Sequence, residues 1–284
     1  MQLLSKAVPI TMLVFVISSM LAAGLSFTVG QLLAPLRNGR LVSVALLASF
    51  VVMPLGAFVI ERLLHLDQPL ANGLLVLGTA AGSPFIPKLA GIAKAGVAFS
   101  VSLMVLLMVV TIGYMPLVLP LLLEGVSVDP LKIARSLILL MLVPLAAGLA
   151  TRSRFEIAAA RVNPVLSGVS TASFILLLTL VCVAHFNNIL DIFGTRGILG
   201  GIVFIVMGYG IGHLLGGPGR DTRRVVGLGT AQRGIAASLL VGGQNFSDPR
   251  VVVMIVVVAI VALLILIPFA RLMSKPSKEL SNHL

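Results

Sequence analysis

A glutamine and an arginine stand side by side in the middle of an otherwise apolar stretch of this chain. Gln232 and Arg233 are flanked by Gly229 and Gly234, and residues 225–244 contain no other charged side chain. An arginine at the centre of a bilayer-spanning helix costs about 2.5–3.5 kcal/mol on insertion scales. Charges that are kept at such depth commonly mark the path of an ion or a substrate. The flanking glycines further indicate that this segment is not a simple helix.

A second glycine-rich segment carries the same Leu-Gly-Thr-Ala tetrapeptide. The tetrapeptide occupies residues 77–80 there and residues 228–231 in the later stretch. The earlier copy is followed by Pro84, Pro87 and Lys88. Because each proline lacks an N–H and clashes with the preceding turn, a continuous helix is not expected. Two polar, interrupted segments in matching places predict the substrate site of a transporter.

The composition excludes a soluble domain. Of the 284 residues, 58% are hydrophobic and 10% are charged, whereas soluble domains carry about 25% charged residues. An all-α polytopic membrane protein is therefore predicted. The net charge of +11 is assigned to Lys and Arg at the span ends and not to a nucleic-acid partner.

Nine apolar spans joined by short connections are predicted, so residues 1–284 form one membrane domain. They are roughly residues 8–27, 41–60, 71–93, 97–122, 133–149, 165–185, 197–215, 225–244 and 251–272. Thirteen of the twenty Lys and Arg residues fall on one side and six on the other. Since the richer side is cytoplasmic, we expect a plasma-membrane (bacterial inner-membrane) protein with its N-terminus outside and its C-terminus inside.

The two interrupted spans are related by their positions in the chain. Spans three and eight are five apart, so they run antiparallel. Paired interruptions of this kind are typical of inverted repeats in secondary transporters. Spans five to nine would form the second repeat, and the first repeat would lack its opening helix.

The residues around both interruptions resemble the bile acid–sodium symporter family. The resemblance is carried by residues 50–54, 79–87, 97–101, 230–237 and 244–246. It covers nearly the whole chain and implies a bacterial-type member without the first of the family's ten helices. It also implies an organic anion bound between two subdomains that rock against each other. The panel would comprise about residues 8–27, 133–149 and 165–185, and the core about 41–122 and 197–272.

Most positions that hold sodium ligands in the family differ here. They read Ile86, Pro87, Met104, Ser49 and either Gly227 or Leu228. Ser100 and Gln232 still match, so sodium at these two residues is possible, but the replacements speak against sodium coupling by the family's arrangement. Lys88 and Arg233 add positive charge beside the altered positions. We hypothesise that these fixed cations replace sodium and attract a carboxylate or sulfonate.

The predicted substrate and ion site lies around the two interruptions. It consists of Thr79, Ser83, Pro84, Lys88, Ser100, Gly229, Thr230, Gln232 and Arg233. Each has a structural alternative. Arg233 would cap exposed carbonyls, Lys88 would extend to the membrane interface, and the hydroxyls would satisfy local backbone groups. The nine acidic residues are all assigned to loops or span ends, so no metal site, cofactor or enzymatic activity is predicted.

The predicted function is secondary active transport of an organic anion by alternating access. The substrate would be bile-acid-like or a smaller carboxylate. The alternative is an anion-selective, channel-like protein or a non-transporting sensory membrane protein that uses the same interrupted helices. Apart from the anion and the lipid bilayer no partner is predicted, and neither a monomer nor a dimer is favoured.

Overall fold

The computed structural model describes residues 2–28, 30–31, 38–123, 128–186 and 195–274, with side chains from residue 7 onward. Within these ranges every regular element is helical. The helices are α1 (Gln2–Ser26), α2 (Gly39–Leu64), α3 (Gln68–Thr79), α4 (Ile86–Ile92), α5 (Val97–Leu122), α6 (Pro130–Arg154), α7 (Glu156–Ala184), α8 (Gly197–Leu215), α9 (Arg220–Ala231), α10 (Ile235–Asn245) and α11 (Arg250–Met273). The predicted polytopic α-helical architecture is confirmed. Arg37, Glu124, Asp191, Lys275, Lys278 and Glu279, which the prediction placed in loops or at span ends, lie outside the described residues.

Eight segments of the described chain are long and apolar enough to cross a membrane. The third predicted span, residues 71–93, is divided between α3 and α4, with 12 and 7 helical residues. Neither piece reaches the ~20 residues that a spanning helix needs. The segment Arg220–Asn245 is divided in a similar way between α9 and α10, and its residues 225–242 are all buried. Both interrupted spans therefore occur where the sequence predicts them.

The outer surface of the helix bundle is aliphatic. Leu63, Leu117, Leu121, Leu214 and Leu264 are each at least 70% exposed. In water such a surface would be unfavourable, whereas hydrocarbon solvates it. The distribution indicates a lipid-facing periphery around the buried interrupted helices, as expected for a multi-pass integral membrane protein.

Helices α1, α6 and α7 pack closely on one another. α1 and α6 meet at Gly24 and Gly148, where a Cβ atom on Gly24 would lie 2.9 Å from the Gly148 Cα atom. α1 and α7 are joined by the Phe15 and Phe174 rings, whose centroids are 4.9 Å apart. The Asn163 amide also donates to the Ser26 hydroxyl (3.0 Å). These are the three helices that the family resemblance assigns to the panel.

Glycines on α8 allow equally close packing against α9. A Cβ atom on Gly208 would lie 3.1 Å from the Ala231 Cα atom, and one on Gly212 would lie 2.7 Å from the Gly227 Cα atom. Small residues of this kind let two helix backbones approach in a membrane. The end of α9, where the helix stops before Gln232, is thus held in place by α8.

Candidate site at the crossing of two interrupted helices

The two Leu-Gly-Thr-Ala segments form the ends of the helices that meet at the crossing. α3 ends at Thr79 and α9 ends at Ala231. Beyond these ends, the Gly234 N–H donates to the Ala80 carbonyl (3.1 Å), which joins the two interruptions by a backbone hydrogen bond. A Cβ atom on Gly234 would lie 2.9 Å from the Ala81 carbonyl oxygen. Only glycine therefore permits this close approach.

α5 satisfies the backbone of the first interruption. The Thr111 hydroxyl accepts from the Ala81 N–H (2.9 Å) and donates to the Ala81 carbonyl (3.0 Å). The next residue, Gly82, has a positive φ of 78°. A Cβ atom there would overlap the Met108 backbone of α5. Two polar groups that would otherwise be orphaned in an apolar environment are thus paired.

Arg233 lies at the centre of the crossing and is 2% exposed. Its Nε donates to the Leu77 carbonyl (3.0 Å), and its two terminal nitrogens donate to the carbonyls of Thr230 (3.3 Å), Ser49 (3.1 Å) and Gly78 (2.6 Å). All four acceptors are neutral backbone oxygens. The guanidinium therefore ties α2, α3 and α9 together.

The Ser49 carbonyl is available because α2 is distorted at this point. Residues Ala48–Val52 form a π-helical turn, in which the Met53 N–H donates to the Ala48 carbonyl. The same i+5 pattern would pair Ser49 with Pro54, which has no N–H. The neighbouring Phe50 carbonyl accepts instead from the Tyr114 hydroxyl of α5. Pro54 thus frees carbonyls that side chains of other helices bind.

A cavity of about 220 Å³ opens beside the crossing. Its apolar walls include Phe15, Phe27, Phe85 and Phe174, and its polar lining comprises Ser19, Ser26, Ser83, Lys88, Ser167, Ser170, Thr171 and Gln232. These residues come from α1 and α7 on one side and from the two interrupted spans on the other. Among the described residues that line it, Lys88 is the only one with a charged side chain.

Gln232, which lines this cavity, has a buried amide without hydrogen-bond partners among the described residues. The residue is 0% exposed, and neither its amide nitrogen nor its amide oxygen has a hydrogen-bond partner among the described residues. A buried amide without partners loses several kcal/mol of hydration, about 2–7 kcal/mol depending on the reference state. An ordered water or a polar ligand would complete the bonding of such an amide.

The structure divides the predicted site residues into two groups. Ser83, Pro84, Lys88 and Gln232 line the cavity. The others are buried away from the cavity lining. Thr79 donates to the carbonyls of Val76 and Leu75, Ser100 donates to Val97 (2.6 Å), Gly229 faces Leu103, Thr230 faces Gly212 of α8, and Arg233 binds its four carbonyls.

The sequence reasoning missed the residues that support the site from outside the interruptions. Thr111 and Tyr114 of α5 bind the backbone at the crossing, and neither was singled out. A hydroxyl within an apolar span is a weak indicator, because it commonly donates to its own helix. Pro54 inside the second span was the stronger indicator, since a proline frees a carbonyl that another group has to satisfy.

Comparison with known proteins identifies the family of the chain. Residues 12–192 match the family model described as the sodium bile acid symporter family. The chain is 26% identical over 241 residues to "Probable sodium/metabolite cotransporter BASS2, chloroplastic" of Oryza sativa subsp. japonica, covering 82% of this chain and 57% of the relative. It is 24% identical over 235 residues to "Probable sodium/metabolite cotransporter BASS1, chloroplastic" of Arabidopsis thaliana, covering 81% and 58%.

A bacterial relative matches a shorter part of the chain. The chain is 28% identical over 206 residues to "Uncharacterized sodium-dependent transporter YocS" of Bacillus subtilis (strain 168), covering 69% of this chain and 60% of the relative. In all three comparisons the chain spans less than two thirds of the relative's length. The family match covers more than half of this chain, and the chain belongs to the sodium bile acid symporter family.

Proposed function

We propose that this protein is a secondary transporter that carries a small organic anion through the cavity beside the crossing by alternating access. The observation that carries the proposal is the buried, unpartnered amide of Gln232, a residue that lines a cavity in which Lys88 is the one charged residue among the described lining residues. An anionic oxygen would accept from the amide N–H₂ group and from the ammonium group. Charge-assisted hydrogen bonds of this type are about twice as strong as neutral ones.

The surroundings of the cavity also favour an anion. α10 begins at Ile235, and both Ile235 and Ala236 line the cavity. The first N–H groups of a helix have no intrahelical partner and carry partial positive charge. Carboxylate side chains are absent from the described lining residues. The Ile235 N–H donates to the Arg233 carbonyl (2.9 Å), and the helix N-terminus that follows would add positive potential beside Gln232.

The cavity volume favours a small substrate. About 220 Å³ lies below the ~300–1,000 Å³ that is usual for sites of drug-sized ligands. The four phenylalanine rings around it would accommodate a compact apolar group attached to the carboxylate. Of the two predicted substrate classes, the smaller carboxylate is favoured over a bile-acid-like molecule.

Coupling to sodium by the family's arrangement is not part of the proposal. The names of the relatives describe sodium-dependent or sodium/metabolite transport. In this chain Arg233 already places one positive charge among the carbonyls of the crossing, and a second cation there would be repelled. Ser100, which the resemblance retains as a ligand, donates its hydroxyl to Val97 in its own helix.

Thermal unfolding of the purified protein in detergent tests ligand binding first. We expect benzoate to raise the Tm and taurocholate to leave it unchanged, with the same shifts in sodium and in choline chloride. Gln232→Leu should abolish the benzoate shift while keeping the fold, because Leu fills a similar volume without orphaned polar atoms. Lys88→Gln should weaken benzoate binding about tenfold, the size expected for losing one charge-assisted hydrogen bond.

Flux in proteoliposomes tests transport itself. A benzoate gradient should drive saturable uptake that preloaded benzoate accelerates, as a carrier requires. A non-saturating anion current would favour the channel-like alternative. Sodium-dependent binding or uptake would show that the sodium-independent part of the proposal is wrong.

A further inference from the structure

We propose that the Arg233 guanidinium is a built-in monovalent cation that occupies a carbonyl-lined site at the crossing. Shortening this side chain would turn the position into a binding site for a free guanidinium ion. The inference goes beyond the proposed function, because it concerns the charge that holds the interrupted helices together and is tested without any transport measurement.

Two of the four carbonyls around Arg233 are released by particular features of the backbone. The regular partner of the Thr230 carbonyl would be the Gly234 N–H, but that group donates to Ala80. The Ser49 carbonyl lies in the π-helical turn, where its i+5 partner is Pro54. Both oxygens are buried and directed at Arg233. The backbone of the folded chain thus leaves these two carbonyls without their regular helical donors, whatever side chain stands at position 233.

The other two carbonyls belong to the last turn of α3. Leu77 and Gly78 lie within the final three residues of that helix, where regular intrahelical donors run out, and the Leu77 carbonyl also accepts from the N–H of the C-cap residue Ala80 (3.3 Å). The N–H that would regularly serve Leu77 is that of Ala81, and it donates to Thr111. Four oxygens from α2, α3 and α9 therefore converge on one point inside the protein.

The charge at this point matches a single positive charge. A helix C-terminus carries a partial charge of about −0.5 elementary charge, and the C-terminal turns of α3 and α9 both end at Arg233. Their sum is about one negative charge, which a monovalent cation neutralises. This balance explains how an arginine is buried here with backbone oxygens and no carboxylate as its acceptors.

The shape of the site selects guanidinium in particular. Four of the five guanidinium N–H groups are used, and they point to oxygens in different helices. An ammonium group has three donors and a more compact charge, so it leaves at least one carbonyl unpaired. The Ser49 hydroxyl, which is buried and has no partner among the described residues, adds a further oxygen at the same residue.

Chemical rescue of a truncated variant tests the proposal. We expect Arg233→Ala to melt about 10 °C below the unmodified protein, the drop that leaving a buried charge site unpaired would give. Millimolar ethylguanidinium chloride should restore at least half of that loss, because the ion fits the space and the carbonyls left by the side chain. Choline chloride at the same concentration should restore none of it. The unmodified protein should respond to neither salt.

Matched variants exclude a general effect of charge or of salt. Arg161→Ala, which removes an exposed arginine of α7, should keep its Tm within 1–2 °C and should not respond to ethylguanidinium. If Arg233→Ala does not accumulate, Arg233→Lys is compared with Arg233→Gln, and the charged variant should have the higher Tm. Three outcomes would each overturn the proposal. They are equal rescue by choline, a stable Arg233→Ala variant without added ion, and an Arg233→Gln variant as stable as Arg233→Lys. Benzoate binding by the unmodified protein is unaffected by these outcomes, so the two proposals fail separately.

Discussion

At the scale of single residues, the crossing depends on side chains that replace missing helical hydrogen bonds. Thr111 pairs both the N–H and the carbonyl of Ala81, and Tyr114 pairs the carbonyl of Phe50. In water these backbone groups would be solvated. Inside a membrane protein each unsatisfied group costs several kcal/mol. The polar side chains of α5 therefore support the backbone of the first interruption and of the π-helical turn in α2.

The role of Thr111 is tested by an isosteric substitution. Thr111→Val keeps the shape but leaves the N–H and the carbonyl of Ala81 unpaired, at about 1–3 kcal/mol for each buried group. We expect the Tm to fall by about 4 °C or more. Thr179→Val is the control, because Thr179 is exposed on α7 and bonds only to Ile175 in its own helix. Equal Tm values for the two variants would contradict this role.

The interruptions could be predicted from the sequence, whereas the hydrogen-bond partners of Arg233 could not. The interruptions were predictable, since glycine and proline act through their own backbone. Its amide at membrane depth also made Gln232 a predicted site residue, and Gln232 lines the cavity. The partners of Arg233 could not be predicted, because carbonyls have no sequence identity, and only the folded chain shows that Ser49 and Leu77 face the same guanidinium. The capping alternative for Arg233 matches the observed contacts.

At the scale of helices, close packing depends on pairs of glycines. Gly24 of α1 and Gly148 of α6 face each other with their backbones in contact. A side chain at either position would push the two helices apart. This contact holds α1 against α6. α1 supplies Phe15, Ser19 and other residues that line the cavity.

An alanine pair tests this packing. Gly24→Ala places a methyl group on the Leu145 carbonyl oxygen and should destabilise the protein by about 1–3 kcal/mol, as overpacking usually does. Gly113→Ala in α5 has no atom within 4 Å of the added Cβ and should be neutral or stabilising by up to ~1 kcal/mol. Thermal unfolding in detergent measures both. A Gly24→Ala variant as stable as Gly113→Ala would show that the helices separate without cost.

At the scale of the whole molecule, two hydrogen bonds join the proposed panel and core at a distance from the cavity. The Lys132 ammonium donates to the Gln244 carbonyl (2.9 Å), and the Ser136 hydroxyl donates to the Gln244 side-chain oxygen (2.6 Å). Gln244 is near the end of α10, whose first residue, Ile235, lines the cavity. Nine residues of helix separate the two points by about 13 Å. If the subdomains rock, these bonds break when the cavity closes and the opposite side opens.

Cross-linking at this contact tests the rocking motion. In a Cys182→Ser background, which removes the single cysteine, Ser136→Cys and Gln244→Cys are joined by a short bifunctional thiol reagent. We expect the linked protein to keep its benzoate thermal shift and to lose benzoate counterflow, with recovery after reduction. The control links Ser136→Cys to Leu140→Cys within α6 and should leave counterflow intact. Full counterflow in the first linked protein would contradict movement of α6 against α10.

The long sequence separation between the carbonyls of α3 and the arginine that binds them has a consequence for biogenesis. Leu77 and Arg233 are 156 residues apart, and a ribosome adding about 5–20 residues per second needs roughly 8–30 s to cover that distance. Throughout that interval the end of α3 is already made while its guanidinium has not yet been synthesised. If translation stopped anywhere upstream of Arg233, the carbonyls of Leu77 and Gly78 would lack this hydrogen-bond donor in the nascent helix bundle. The carbonyls at the end of α3 in the first half of this protein are therefore paired with this donor only after Arg233, in the second half, has been synthesised.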